Sequence, residues 1–312
     1  MAARTFDTFS ITRKQASAVV SHAVGRSLDV TSMRPLAGGM INSVQCWVLS
    51  GPPHQCVVKL TSEVREPAFE REARSLQLLL SVGFPCAAPL FVEASGDRFP
   101  FSALGLEYIP GEVLTHAEIS DADRLRLELE LAEVLSTLHS HTSEGFGYTD
   151  EEPKPRWIDV FRPRFAEVLR SCGDRNPETT TTVCKLAVAR MDDLLGRRDG
   201  PARLIHGDMW AGNIIVRPGA ERVLAAIVDA SYAGWADPEY ELAYMEGFGT
   251  VGALFLREYA RVHPIDDGYE LRRTLYNLYT MLIHVWLFGD DHYHARAARL
   301  AESLAGAMGW SV

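Results

Sequence analysis

The spacing of hydrophobic and polar positions changes near residue 110 of this 312-residue chain. Before that point, short apolar stretches with two-residue alternation predict β-strands, and two stretches with a helical period accompany them. The predicted strands are Met33–Leu36, Ser43–Leu49, Gln55–Leu60 and Phe101–Ile109, and the predicted helices run from Thr12 to about His22 and from Glu66 to about Val82. Pro110-Gly111 follows the last strand and is the best candidate for a boundary between two lobes.

After this boundary the pattern is mainly helical. The predicted helical stretches are Asp121–His141, Arg156–Leu169, Thr179–Leu195, Pro238–His263, Gly268–Phe288 and His292–Met308. One interruption, Asn213–Val216 followed by Val223–Val228, predicts a β-hairpin around Pro218-Gly219. A small strand-rich lobe over residues 1–109 and a larger helical lobe over residues 110–312 make an α+β fold, since strands and helices do not alternate as in βαβ units.

Composition narrows the class of protein without naming a function. The chain is 47% hydrophobic and 23% charged, as expected for a globular protein, and its formal net charge is −10. So acidic a chain lacks the electrostatic signature of a nucleic-acid binder. Its five scattered cysteines form no CxxC pair, and neither a signal peptide nor an apolar membrane span is recognisable. We therefore expect a cytoplasmic protein with a small-molecule partner, no membrane and no nucleic acid.

The segment His206-Gly207-Asp208-Met209-Trp210-Ala211-Gly212-Asn213 carries the strongest chemical signal. Phosphoryl transfer to a hydroxyl needs a carboxylate that accepts the proton and a second group that orients this carboxylate and a metal ion. Asp208 and Asn213 have the spacing expected of that pair. Downstream, Asp229 ends the apolar strand of the hairpin, where a rigid carboxylate can bind Mg²⁺. The alternative, that these are ordinary turn and capping residues, is disfavoured because all three occur in this order.

Lys59 lies inside the predicted strand Gln55–Leu60, where a lysine is unexpected unless it has a function. A kinase needs such a lysine for the α- and β-phosphates of ATP and a helical glutamate that holds the lysine. Helical geometry favours Glu72 over Glu70 for this role, because Glu72 lies at the edge of the apolar stripe of its helix. The alternative is a pair of ordinary surface charges.

Two further segments are candidates for nucleotide binding. Gly38, Gly39, Asn42 and Ser43 belong to a strand–turn–strand context in which backbone amides could cover phosphates, although a plain hairpin is equally compatible with them. Glu107-Tyr108-Ile109 ends the last strand of the small lobe, where backbone groups could bind adenine, or where a buried strand simply ends. The chain has no GxxxxGK[ST] motif, so the P-loop class of nucleotide-binding proteins is excluded.

The remaining candidates are weaker. Trp210 and Trp286 could line a pocket for a sugar ring, although aromatic residues are more often part of a core. Glu241 is expected to be a buried helical acid that binds back to the segment around Asp208. His139 and His141 are two positions apart on a predicted helix and point to different sides, which disfavours a metal site.

These motifs together resemble the aminoglycoside phosphotransferase and choline kinase superfamily, and within it the fructosamine (ketosamine) kinase family. The segment His206–Asn213 is similar to that family's HGDLWxGN, and the segments around Asp229, Glu241 and Gly289 resemble its metal-aspartate region and its late helix. The resemblance runs from about residue 30 to 305. Met40 stands where this family often has a cysteine, and the proline that usually follows the metal aspartate is absent.

The resemblance implies a bilobal protein-kinase-like fold that uses ATP and Mg²⁺. It implies that Asp208 is the catalytic aspartate, that Asn213 and Asp229 bind the metal, and that Lys59 and Glu72 form the ion pair. The sequence thus predicts a kinase for a hydroxyl of a sugar-like or amino-sugar molecule, most similar to the ketosamine kinases. An antibiotic-inactivating phosphotransferase is the alternative within enzymes, and a pseudokinase that only binds nucleotide or a partner is disfavoured because all four core residues are present.

Overall fold

A computed structural model of the chain describes residues 9–36, 43–62, 68–94, 99–196 and 200–311. These residues form two compact units. The first, called here the sheet unit, comprises the described residues up to Glu130 together with Ala211–Ala233. The second, called the helical unit, comprises Leu131–Trp210 together with the described residues from Gly234 onward. The functional division into lobes at residue 109 stays a prediction.

The first half of the chain contributes six strands and the first three helices. In chain order they are α1 (Arg13–Val24), β1 (Val30–Pro35), β2 (Ser43–Leu49), β3 (Gln55–Thr61), α2 (Ala68–Ser81), β4 (Pro89–Glu93), β5 (Ser102–Glu107), β6 (Glu112–Val113) and α3 (Asp121–Leu138). Helix α1 starts at a capping box, in which the Thr12 hydroxyl and the Gln15 side chain bind each other's backbone amides, and it ends at Gly25 in the left-handed conformation.

Among its described residues, the second half contains seven α-helices and six short strands. They are β7 (Thr142–Ser143), β8 (Gly147–Tyr148), α4 (Trp157–Cys172), α5 (Glu178–Ala189), α6 (Met191–Leu195), β9 (Ala202–Ile205), β10 (Ile214–Val216), β11 (Leu224–Ile227), β12 (Gly234–Ala236), α7 (Pro238–Gly247), α8 (Ala253–Tyr259), α9 (Tyr269–Leu287) and α10 (Asp291–Met308). Within the described parts of the chain, no helix is long and apolar enough to cross a membrane.

The sheet unit is built on a five-stranded antiparallel sheet with the order β1-β2-β3-β5-β4. In β3 the side chains of Cys56, Val58 and Leu60 are fully buried on one face, where they join a core that includes Trp47 of β2. Because successive side chains of a strand point to opposite faces, Lys59 faces away from this core. A second, three-stranded sheet of this unit has the order β11-β10-β6.

The helical unit packs α4, α7 and α10 against α9, which is buried over most of its length. Its four-stranded sheet has the order β7-β9-β12-β8, and the central strand β9 leads directly into His206. The apolar side chains of the helices and of this sheet join in one core cluster that contains Phe161, Tyr276 and Leu282.

The small-lobe sheet, the helical C-terminal part and the hairpin β10–β11 confirm the predicted fold class. Several details of the prediction were wrong. The stretch Thr179–Leu195 is two helices, α5 and α6, because the backbone leaves the helical conformation at Arg190. The stretch Pro238–His263 is two helices rather than one, because Gly249 has a φ of 64° and the chain is extended at Gly252 before α8 begins. Strand β4 was not predicted. The four-stranded sheet was missed as well, because strands of two to four residues are too short to show a period.

Candidate active site

In the sheet unit, Lys59 is the centre of a cluster of charged side chains. Its Nζ atom lies 2.7 Å from Glu72 Oε1 and 2.9 Å from Asp229 Oδ1. Burial of the ammonium group acts to lower its pKa, but the carboxylates of Asp229 and Glu72 outweigh burial and raise the pKa of Lys59 above its usual value. The pairing with Glu72 predicted from helical geometry is therefore present, and Lys59 is a cation at neutral pH.

Asp229 follows β11 in an uncommon backbone conformation. Its φ of 65° lies in the left-handed region, which few residues other than glycine adopt and which recurs at functional sites. The Ser231 hydroxyl lies within hydrogen-bonding distance of Asp229 Oδ1 (3.1 Å) and Glu72 Oε2 (3.2 Å). A hydroxyl carries one hydrogen, so it donates to one of these two carboxylates at a time. Sequence reasoning missed Ser231, and no spacing or motif could have revealed it.

The register of β10 and β11 brings Asn213 beside the segment that leads to Asp229. Ile214 lies opposite Ile227, and the Asn213 carbonyl accepts a hydrogen bond of 2.9 Å from the amide of Val228. Asn213 is buried at the end of a single 3₁₀ turn, Ala211–Asn213. A carboxylate and an amide oxygen suit Mg²⁺, which needs few protein ligands because water and phosphate oxygens complete its octahedron. No group of three His, Cys, Asp or Glu side chains able to hold a metal occurs among the described residues, so a closed protein cage is not offered.

The predicted nucleotide segments are only partly within the described residues. Gly38, Gly39 and Asn42 lie outside them, and Ser43 opens β2 one position before Val44, which pairs with Lys59. Glu107 ends β5, and its amide donates to the carbonyl of Ala88 at 2.8 Å, so this N–H is used within the protein. A contact with adenine at this strand end is therefore left to its other backbone groups and to Tyr108 and Ile109. These nucleotide-binding roles stay predictions.

In the helical unit, backbone and side-chain bonds hold Asp208 at the end of β9. Its amide donates to His206 Nδ1 at 3.3 Å, and its carbonyl accepts from the amide of Trp210 at 3.1 Å. The hydroxyl of Tyr244 on α7 donates to Asp208 Oδ1. Sequence reasoning did not single out Tyr244, because no spacing or motif distinguishes it from the other residues of its helical stretch.

The segment before Asp208 is held by a buried carboxylate, as the sequence predicts for Glu241. The Oε1 atom of Glu241 accepts from the amide of Gly207 at 2.6 Å, and its Oε2 atom accepts from the amide of His206 at 3.2 Å. His139 Nε2 lies 3.0 Å from the same Oε2 atom, and His139 Nδ1 lies 2.7 Å from the Tyr259 hydroxyl. His139 is thus part of a buried hydrogen-bond network and not of a metal site.

The two tryptophans proposed for substrate binding have different surroundings. Trp210 is half-buried, and its ring centroid lies 6.4 Å from that of Phe248, whose ring in turn lies 4.8 Å from Tyr244. Trp286 is near the end of α9 and packs against the core of the helical unit. Trp210 therefore belongs to the aromatic surroundings of Asp208, and a substrate role for either residue stays a prediction.

The fold, the charged cluster around Lys59 and the hydrogen bonds around Asp208 together define a class of protein. Comparison with known sequences identifies the same class. A family model described as fructosamine kinase matches residues 12–306. The chain therefore belongs to the fructosamine kinase family and is an ATP-dependent kinase of small molecules. Its fold class, a mixed helix-and-sheet kinase-like fold, agrees with this assignment.

Individual relatives support the same family assignment. A probable ketoamine kinase of Synechocystis sp. is 28% identical over 300 residues, which cover 91% of this chain and 94% of the relative. The chloroplastic protein-ribulosamine 3-kinase of Arabidopsis thaliana is 38% identical over 283 residues, which cover 86% of this chain and 81% of the relative.

Two solved structures show the shared fold. A putative fructosamine-3-kinase from Haemophilus somnus has a TM-score of 0.75 at 18% identity, covering 93% of this chain and 96% of that chain. The GDP complex of aminoglycoside 2'-phosphotransferase-IIIa has a TM-score of 0.68 at 17% identity, covering 96% of this chain and all of that chain. At these levels of identity both likenesses concern the fold alone, so the preference for a ketosamine kinase over an antibiotic phosphotransferase rests on family membership.

Proposed function

We propose that the protein transfers the γ-phosphate of ATP to a hydroxyl of a ketosamine, the adduct of a ketose with an amine. The names of its relatives point to fructosamines and ribulosamines as acceptors and to the 3-hydroxyl as the group that is phosphorylated. The observation that carries the proposal is the restrained carboxylate of Asp208. The Tyr244 hydroxyl donates to this carboxylate, and the Glu241 carboxylate accepts from the amides of the two residues before Asp208.

Asp208 is the proton acceptor in this proposal. As the acceptor oxygen forms its bond to the γ-phosphorus, the bond between that phosphorus and the bridging oxygen of ADP breaks, and the hydroxyl proton moves to the Asp208 carboxylate. A carboxylate that is held in place loses less conformational freedom when the acceptor binds, which favours proton transfer at the right oxygen.

The nucleotide is assigned to the charged cluster of the sheet unit. Lys59, held by Glu72, binds phosphate oxygens of ATP, and Asn213 and Asp229 hold Mg²⁺. When bound, the ion neutralises charge on the β- and γ-phosphates. Lys59 Nζ lies 2.9 Å from Asp229 Oδ1, so the lysine already positions the carboxylate that would hold the metal.

The acceptor class is tested by a screen for ATP consumption. The purified protein is incubated with fructosyl-lysine, ribulosyl-lysine, free amino sugars and aminoglycosides, and ³¹P and ¹H NMR locate the phosphate on any product. We expect turnover with one or both ketosamines and a 3-phosphate product. Turnover with an aminoglycoside and none with either ketosamine would overturn the proposal.

The role of Asp208 is tested with Asp208→Asn, which keeps the size of the side chain and removes its basicity. We expect kcat to fall about 10³-fold, within the range usual for a lost general base, while the dissociation constant of Mg·ATP stays unchanged. Asp174→Asn is the control, since Asp174 is exposed and belongs to the same unit. A kcat close to that of the control would show that Asp208 is not the base.

A further inference from the structure

One face of α7 contacts the catalytic segment at successive residues. Glu241 binds the amides of residues 206 and 207, Tyr244 binds the carboxylate of residue 208, and the Phe248 ring lies against the ring of residue 210. Positions 241, 244 and 248 are spaced by three and four residues, so they share one side of a helix and its C-terminal cap. Successive residues on this face of α7 therefore contact successive residues of the segment His206–Trp210.

On this face of α7, the Tyr244 hydroxyl makes a contact that packing alone does not require. Its ring packs on Phe248 with the centroids 4.8 Å apart, and this packing needs no hydroxyl. The hydroxyl is instead directed at Oδ1 of Asp208. A phenol is protonated at neutral pH and a carboxylate has no hydrogen to give, so the tyrosine is the donor.

We propose that Tyr244 is a positioning residue for the phosphoryl transfer: its hydroxyl fixes the rotation of the Asp208 carboxylate toward the acceptor. This inference rests on the proposed function, because it assumes that Asp208 accepts the proton. A carboxylate rotates freely about its Cβ–Cγ bond unless a donor holds one oxygen, since terminal torsions of this kind have broad minima. With Tyr244 on Oδ1 and the backbone of Asp208 bonded on both sides, the orientation of the carboxylate is set before the acceptor arrives.

The interaction also has a chemical consequence for the transfer. A hydrogen bond to a charged acceptor is stronger than one between neutral groups, so the phenol binds the ionised form of Asp208 in preference to the protonated form. The ionised form is the one that accepts the hydroxyl proton. This preference lowers the basicity of Asp208, so the gain in rate from Tyr244 comes from the orientation of the carboxylate and not from its proton affinity.

The test is Tyr244→Phe, which removes one oxygen atom and keeps the ring on Phe248. We expect kcat with fructosyl-lysine or ribulosyl-lysine to fall roughly 10- to 100-fold, the effect of losing a hydrogen bond to a charged group. The KM of the acceptor and the dissociation constant of Mg·ATP should stay within about threefold of the wild-type values, because neither ligand loses a contact.

Tyr269→Phe is the matched control. The Tyr269 hydroxyl donates to Glu246, so this variant removes a tyrosine–carboxylate hydrogen bond in the same unit, at a carboxylate without an assigned role in the reaction. Thermal unfolding midpoints of both variants separate a loss of stability from a loss of rate. We expect both to remain folded and only Tyr244→Phe to lose turnover.

The outcomes distinguish this inference from the proposed function. If Asp208→Asn loses activity and Tyr244→Phe keeps the kcat of the Tyr269→Phe control, the positioning role is wrong and the base assignment stands. A Tyr244→Phe enzyme with unchanged or higher kcat and a lower acceptor KM would mean that the phenol competes with the acceptor for Asp208, which also overturns the inference. If Asp208→Asn retains its turnover, the base assignment fails and the positioning role fails with it, whereas the proposed function fails if the wild-type protein turns over an aminoglycoside and neither ketosamine.

Discussion

At the scale of single residues, the most informative feature is a buried cation. Lys59 is 6% exposed and Glu72 is 1% exposed, so both charges have lost most of their hydration. Such a pair is stable only as a pair, because removal of one partner leaves the other charge buried without compensation. The contribution of this pair to the free energy of unfolding can therefore be measured separately from its proposed role in binding nucleotide.

We expect Lys59→Met to lower the free energy of unfolding by about 3–5 kcal/mol, because Glu72 then stays buried without its cation. The double variant Lys59→Met with Glu72→Gln should recover much of that loss, since no fully buried charge is left without a partner. Asp229 also loses the lysine, but its side chain is 41% exposed and stays hydrated. Urea titration of the three proteins measures the difference. Equal stabilities of the single and the double variant would contradict this account. Neither variant should regain affinity for Mg·ATP, because the lysine is absent from both.

Ser231 gives a second prediction at this scale. Ser231→Ala removes the hydroxyl that lies between Asp229 and Glu72 but leaves the ion pair with Lys59. We expect the KM of Mg·ATP to rise several-fold, about the effect of one hydrogen bond, with kcat at saturating nucleotide little changed. Steady-state kinetics at varied Mg·ATP measure it. An unchanged KM would show that the Asp229 carboxylate is held well enough without this hydroxyl.

At the scale of elements, close backbone approach limits what the small sheet of the helical unit tolerates. A Cβ atom on Gly234 of β12 would lie 2.6 Å from the carbonyl oxygen of Gly147 and 2.9 Å from the Cα atom of Tyr148. Both contacts are with the backbone of β8, which cannot move aside as a flexible side chain can. Glycine is required here by the neighbouring strand.

We therefore expect Gly234→Ala to destabilise the protein by about 1–3 kcal/mol. Gly306→Ala in α10 is the control, and we expect it to stabilise the protein. A Cβ at Gly306 meets no atom within 4 Å, and alanine in a helix interior is about 0.5–1 kcal/mol better than glycine. Thermal unfolding of both variants tests the pair. A Gly234→Ala protein as stable as wild type would mean that β8 and β12 separate easily.

At the scale of the whole molecule, all five cysteines are buried free thiols. Burial raises the pKa of Cys56, Cys86 and Cys184 to about 12. The thiolate is the reactive species, and at pH 8 a thiol of pKa 12 is ionised to about one part in ten thousand. Alkylation of the native protein should therefore depend on opening of the fold.

We expect less than one thiol per chain to react with iodoacetamide at pH 8 on the time scale on which all five react in urea. Mass spectrometry counts the modified cysteines, and addition of Mg·ATP should slow any residual reaction if the nucleotide stabilises the folded state. Rapid modification of a particular cysteine in the native protein would locate a region that opens more easily than its burial indicates.

The sequence by itself determined most of the longer elements and the candidate chemical groups. The apolar stretch Gln55–Leu60 and the helical period from Glu66 to about Val82 located β3 and α2, and one helical stripe distinguished Glu72 from Glu70. The spacing of Asp208 and Asn213, with Asp229 after the next strand, indicated phosphoryl transfer. All of these signals are local, because periodicity and spacing report the geometry of neighbouring residues.

Only the tertiary structure decided which distant groups hold the catalytic segment. Tyr244 is 36 positions from Asp208, and Tyr259 is 120 positions from His139, yet each pair is hydrogen-bonded. The sequence predicted that Glu241 binds back to this region but not the particular amides, and it gave no sign of Ser231. The physical reason is that a hydrogen bond between distant residues depends on how whole helices and strands pack. Packing is not encoded in the local pattern of either partner.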